Sequence, residues 1–190
     1  MPRADDRAPP FMRVYGETRP PHGFVRFCAS NEAECLPGKL QNSRFEATAD
    51  RLAELDAVNR QINRQIEAAT DLDVYGQTEF WAIPKTRGDC EDYALLKRQR
   101  LIKAGWPIGA LLITVVYDER GDGHAVLTAR MSHGDVVLDN KHDDIKPWNK
   151  TGYTFLMRQS YIDPKVWLSL EVKDSADAPL LGGVRTKPAR

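Results

Sequence analysis

The sequence predicts an α+β domain, with helices first and an antiparallel sheet afterwards. Three observations predict it. Residues 45–70, FEATADRLAELDAVNRQINRQIEAAT, carry Leu52, Leu55, Val58, Ile62 and Ile66 at spacings of three and four, the mark of an amphipathic helix with one buried stripe. A second helix runs through GDCEDYALLKRQRLIKAGW and stops at Ala104-Gly105, with Pro107 just beyond. After Pro107 the pattern changes to β-branched runs separated by turns: ALLITVVYD, the turn ERGDG, HAVLTARM, the turn SHGD, and VVLDN.

The remaining elements follow in chain order. The first twenty residues hold four prolines and several charges, so they read as a tail or an edge-wrapping segment with little order before His22. In the first helix Asn59, Asn63 and Arg64 read as a solvated face. The stretch DLDVYGQTEFWAIPKTRG has turn residues, three aromatics and a proline, and reads as an ordered loop. In the second helix Asp89 is the expected N-cap, Asp92 a weaker capping-box partner, and Cys90 the first helical residue. Ala94, Leu95, Leu101 and Ile102 are its expected buried positions. YTFLMRQSY and VWLSLE add strand or edge material, and SADAPLLGGVRTKPAR reads as a tail. The expected organisation is a flexible segment over 1–21, one domain over 22–172 and a flexible tail over 173–190.

Lys plus Arg total 27 and Asp plus Glu total 27, so no global field attracts nucleic acid or an anionic membrane. No apolar run approaches the ~20 residues that span a bilayer, and MPRADDRAPP lacks the apolar core of a signal peptide. The three cysteines are Cys28, Cys35 and Cys90. One local disulfide plus one free thiol is one reading, which implies an oxidising compartment; three reduced cytosolic thiols is the other. Zinc fits less well, because Cys28 and Cys35 are seven residues apart with no histidine nearby.

Chemistry concentrates around Cys90. Acidic neighbours raise a thiol's pKa, whereas a helix N-terminus lowers it, so Asp89, Glu91 and Asp92 oppose the helix. A cysteine nucleophile needs a base, and the base needs a group that fixes its tautomer. His124 opens the second strand of the meander and Asp139 closes the third. Placing Asp139 opposite His124 centres the intervening turn between Met131 and Ser132. A two-residue turn at His133-Gly134 is better turn chemistry, but it leaves Asp139 four residues, ~13 Å, from that position. Both registers keep the two side chains on one face, and only the first is expected to let them touch.

Four motifs in this order, Trp-x-x-Pro at Trp81 to Pro84, GDCEDYALLK, GHAVL and VVLDN, resemble the bacterial transglutaminase-like cysteine peptidases, over about Phe24 to Trp167. The resemblance implies a papain-like, transglutaminase-like fold and a triad of Cys90, His124 and Asp139. It also implies Ca²⁺ held by the acids flanking the nucleophile, at Asp89 and Glu91, which would offset the negative charge beside the thiol. Asp92 remains a cap on this reading. A periplasmic location is implied, with the export signal not within these residues, and with it a Cys28–Cys35 disulfide. The implied substrate is a large surface adhesin, cut near its N-terminal retention segment and so affecting biofilm attachment. The implied regulator is an inner-membrane cyclic-di-GMP receptor.

Acyl-transfer chemistry then assigns the backbone N–H of Cys90 as an oxyanion donor. Trp81 offers a second donor through its indole N–H, or is a buried aromatic. His22, His133 and His142 read as surface or turn residues, with His142 the alternative base. Two alternatives to an endopeptidase remain. One is a transglutaminase or amidase using the same triad, and the other is a non-catalytic calcium-binding module.

Overall fold

The computed structural model describes residues 9–38 and 44–172. The chain runs β1 (Glu17–Thr18), α1 (His22–Ser30), α2 (Ala49–Gln65), β2 (Glu67–Ala68), α3 (Asp71–Tyr75), β3 (Arg87–Gly88) and α4 (Cys90–Lys103). Then follow β4 (Leu111–Tyr117), β5 (Gly123–Met131), β6 (Gly134–Leu138), β7 (Lys146–Pro147), β8 (Thr154–Gln159) and β9 (Trp167–Ser169). Seven strands form one antiparallel sheet in the order β1-β9-β8-β4-β5-β6-β7, while β2 and β3 pair separately in parallel. The helical first half and antiparallel second half match the α+β expectation.

Alternation along β5 divides the sheet into two faces. Leu127, Ala129 and Met131 join the core under the helices, together with Leu55, Val58 and Ile62 of α2 and Tyr93, Ala94 and Leu101 of α4. Val126 points the other way, into a smaller cluster with Met12, Val116, Val137, Tyr153 and Phe155. Met12 belongs to the segment expected to be a tail. In the described residues this segment takes the edge-wrapping form: β1 pairs with β9, Met12 is buried, and Asp135 N donates to Pro10 O. The expected C-terminal tail over 173–190 lies outside the described residues.

The first helix is shorter than its periodicity suggests. Thr48 caps α2 by accepting from Arg51 N, and the chain turns extended at Ile66 to pair with β3. This pairing brings the end of α2 beside the residues that precede Cys90. The loop expected over 71–88 contains α3, ended by Gly76 in the left-handed region at φ 67°. At the other end of α4, Gly105 N donates to Ile102 O and Trp106 N to Leu101 O, which closes the helix before Pro107.

Cys28 and Cys35 form a disulfide with Cα atoms 5.7 Å apart, leaving Cys90 as the free thiol. Among the described residues no helix is long and apolar enough to cross a membrane. Trp167, on β9, is fully buried, edge-on to Phe24 of α1 at 5.3 Å and to Trp81 at 6.4 Å. Truncating it removes the centre of this aromatic group, so Trp167→Ala is expected to cost about 3–5 kcal/mol in urea unfolding.

Candidate active site

The site forms where the start of α4 meets the ends of β5 and β6. Cys90 is the first residue of α4 and Asp89 occupies the N-cap position, as expected, but the Asp89 carboxylate makes no capping hydrogen bond. Asp92 is no cap either. It is fully buried, and its carboxylate turns back to accept from Tyr75 Oη at 2.8 Å and Ala82 N at 2.8 Å. Gly88 makes room for it, since a Cβ there would come within 2.5 Å of Asp92 Oδ2.

His124 and Asp139 are both buried, and His124 Nε2 lies 2.8 Å from Asp139 Oδ1. The register that achieves this is neither of the two expected. Met131 pairs with Gly134 and Leu127 with Leu138, so the turn is Ser132-His133. Asp139 therefore falls diagonally across from His124, on the same face, and side chains of this length reach across such a diagonal. The Gly-based turn at His133-Gly134 does not form. Gly134 is instead the first residue of β6, in a conformation with φ 151° and with Pro10 O packed where a Cβ would point.

Asp139 has its acceptor capacity well used. Oδ1 also accepts from Lys141 N at 3.0 Å and Oδ2 from Tyr153 Oη at 2.5 Å. Burial alone would raise its pKa, but the His124 hydrogen bond and charge, with these two further donors, hold it down to about 2. Tyr153 also stands edge-on to the His124 ring at 5.7 Å. With Nε2 committed to Asp139, Nδ1 is the ring nitrogen left for a second partner.

The Cys90 thiol reaches the backbone N–H of Ala125, the neighbour of His124, but its hydrogen bond goes to Glu91 Oε2 at 3.0 Å. Burial raises its pKa well above the ordinary thiol value, and the Glu91 and Asp89 carboxylates push the same way. The opposition read from the sequence is thus real in the fold. Asp71, Asp89 and Asp92 each offer one oxygen within 4.8 Å of the others. Burial comes first in raising Asp71 to about 6 and Asp89 and Asp92 to about 7; the Asp89 charge adds to it at Asp71 and Asp92, and the Glu91 charge adds to it at Asp89. Asp71 Oδ1 and Asp89 Oδ1 are buried without a hydrogen-bond partner. Crowded carboxylates with unpaired hard oxygens fit a divalent cation such as calcium. Glu91, expected to share that role with Asp89, lies against Cys90 and Asp89 but outside this three-residue group.

Other expectations change with the packing. Trp81 takes the role of buried aromatic, stacked edge-on against Phe24, with its indole nitrogen against Gly23. Asn59 and Asn63 are not a solvated face. Asn59 Nδ2 donates to His142 O and Asp143 O, and Asn63 Nδ2 donates to Asp139 O at 2.9 Å and to His142 O. Two amides of α2 thereby fix the backbone of the loop that carries Asp139. Their spacing of four residues puts them on one helix face, which was the signal available in the sequence.

Residues 14–175 match the family described as bacterial transglutaminase-like cysteine proteinase. The chain belongs to this family. It is therefore a cysteine peptidase. Among solved structures it resembles Legionella pneumophila LapG in its calcium-bound form, with a TM-score of 0.53 and 21% identity over 70% of this chain and 76% of that one. An EGTA-treated form of the same Legionella protein gives 0.52 and 23% over 63% of this chain and 70% of that one. A further LapG structure gives 0.52 and 23% over 63% and 72%. These likenesses establish a transglutaminase-like fold. No curated protein gives a significant match.

Because Asn63 spans α2 and the Asp139 loop, Asn63→Ala is expected to lose about 1–2 kcal/mol of stability. Urea unfolding measures the loss. Hydrogen exchange at residues 139–143 should rise more than at the core of β5.

Proposed function

We propose that this peptidase cleaves peptide bonds through a triad of Cys90, His124 and Asp139, and that its activity depends on calcium. The observation that carries the reading is the buried His124–Asp139 pair at 2.8 Å, set beside the start of the helix that presents Cys90. His124 Nδ1 takes the thiol proton, and the thiolate sulfur adds to the scissile carbonyl carbon. His124 then gives that proton to the leaving amine as the C–N bond breaks, and water resolves the thioester. The backbone N–H groups at the start of α4 support the developing oxyanion. Asp139 orients the ring and stabilises its charged form.

Calcium bound by Asp71, Asp89 and Asp92 would supply positive charge that offsets the carboxylates beside Cys90. The buried, unpartnered oxygens of Asp71 and Asp89 support this assignment, as does the description of a similar LapG structure as calcium-bound. Periplasmic action on the N-terminal region of a large surface adhesin, under an inner-membrane cyclic-di-GMP receptor, extends the resemblance of the motifs to this family. The Cys28–Cys35 disulfide supports an oxidising compartment.

EGTA is expected to abolish cleavage of an adhesin N-terminal fragment, and calcium, more than magnesium, to restore it. Asp71→Ala should weaken calcium binding measured by calorimetry; unchanged binding would remove Asp71 from the site. Cys90→Ala and His124→Ala should each stop cleavage in a fragment assay read by mass spectrometry. New N-termini in the products support peptide hydrolysis. Isopeptide adducts without chain cleavage would instead make the protein a transferase, and calcium binding without any product would make it a binding module.

A further inference from the structure

The sheet leaves one stretch of β5 open beside the nucleophile. β4 pairs with β5 from Gly123 to Ala129, whereas β6 pairs with it only from Leu127 to Met131. Successive residues of a strand turn their N–H and C=O groups to opposite edges. Asp118 N donates to Asp122 O just beyond β4, so the even-numbered residues here face β4. Met131 and Gly134 close the two-residue turn, so the odd-numbered residues face β6. Gly123 and Ala125 are odd-numbered and lie past the last residue that β6 pairs. The Cys90 thiol reaches the Ala125 N–H at this edge. Gly123 follows two residues farther out, about 7 Å along the strand.

The side-chain position of Gly123 is open too. It falls on the same face as Leu127 and Ala129, the face that packs under the helices. Gly123 is exposed, and a Cβ built there would meet nothing within 4 Å. Tyr117, its direct partner across β4, shares that face and is 46% exposed. The Tyr117 ring does not cover the glycine. Turn geometry accounts for Gly121, whose φ is 83°, but Gly123 lies outside the left-handed region. Glycine weakens a strand, and it marks a place where another backbone comes close.

We infer that Gly123 is a specificity-determining residue of the peptidase: substrate lies extended along the open edge of β5, and one of its side chains fills the space over Gly123 beside Tyr117. The inference rests on the reading of Cys90 as nucleophile given above. The ligand it describes is a peptide segment free of helix, held by main-chain hydrogen bonds to Gly123 and selected by alternate side chains. The Tyr117 ring offers that side chain an apolar wall. Any residue larger than glycine at position 123 would take up the space itself.

The test uses the full chain with calcium chloride and a set of double-headed epoxysuccinyl peptides. In these reagents the epoxide that the Cys90 sulfur opens carries two amino acids on each side, with Gly, Ala or Leu at each position. Every rate is divided by the iodoacetamide alkylation rate of the same variant, which cancels changes in the thiol itself. The parent is expected to prefer Leu over Gly at one position. Gly123→Val should slow the reagent with Leu at that position by about tenfold or more, and the reagent with Gly there by less. Tyr117→Ser should shrink the preference for Leu. Thermal unfolding of Gly123→Val should stay near that of the parent, because the added side chain enters open space. Should that variant fail to fold, Gly123→Ala takes its place, with a smaller change in the same direction. A folded variant with the parent's normalised rates across the set would overturn the inference, as would a parent with no preference at any position. Iodoacetamide alkylation in His124→Ala tests the triad separately. An unchanged rate there removes His124 as the base, while altered selectivity in Gly123→Val would still support peptide docking at this edge.

Discussion

Four carboxylates crowd the first turn of one helix, and the site depends on how the fold accommodates them. A helix N-terminus welcomes negative charge, but Asp71, Asp89, Glu91 and Asp92 exceed what one dipole can offset. The fold relieves part of this with donors, because Phe80 N reaches Asp71 and both Ala82 N and Tyr75 Oη reach Asp92. The relief is incomplete, since buried oxygens of Asp71 and Asp89 remain without partners. Consequently the Cys90 thiol faces a negative field that opposes its ionisation, and the segment over 80–82 is tied by its backbone to the same acids. Charge at this helix start therefore links the Cys90 thiol, the group of acids and the chain that leads into the helix.

A second constraint acts on the opposite side of the thiol. Asp139 is held ionised and in place beside His124, because the fold saturates its carboxylate and clamps its backbone. Lys141 N and Tyr153 Oη complete the carboxylate, and Asn63 holds the main chain. These partners come from the Asp139 loop itself, the approach to β8, and α2. The pair is thus a property of the packed α2, β5, β6 and β8 assembly rather than of the hairpin alone. Both Asp139 and Asp92 are buried acceptors of good hydrogen bonds, but the His124 hydrogen bond and charge hold Asp139 down to about 2, whereas burial, with the Asp89 and Asp71 charges adding to it, pushes Asp92 up to about 7.

Much of this architecture was legible in the chain. Hydrophobic periodicity located α2 and α4, and β-branched runs located β4, β5 and β6, because those patterns are local consequences of burying one face of an element. The positions of Cys90, His124 and Asp139 at element ends were legible for the same reason. The hairpin register was harder. The expectation compared a directly opposed pair with a Gly-based turn, and the fold chose Ser132-His133 with a diagonal contact, because Gly134 is needed where Pro10 crosses the strand. A crossing segment over 120 residues away in sequence is invisible to turn chemistry.

The sequence by itself determined the secondary-structure order, the family motifs, and the cysteine at a helix start among acids. Only the tertiary structure decided which acids lie together and which polar residues pack against the Asp139 loop. Asp71 comes to lie beside Asp89 and Asp92 through the fold of the intervening loop, and Glu91 lies against both the Cys90 thiol and Asp89. Asn59 and Asn63 become a clamp because α2 packs beside the Asp139 loop, and Lys97 is buried because α4 packs on the core. The physical reason is common to all of these. Periodicity reports whether a face is apolar, but a polar side chain on that face is solvated or buried according to what packs against it.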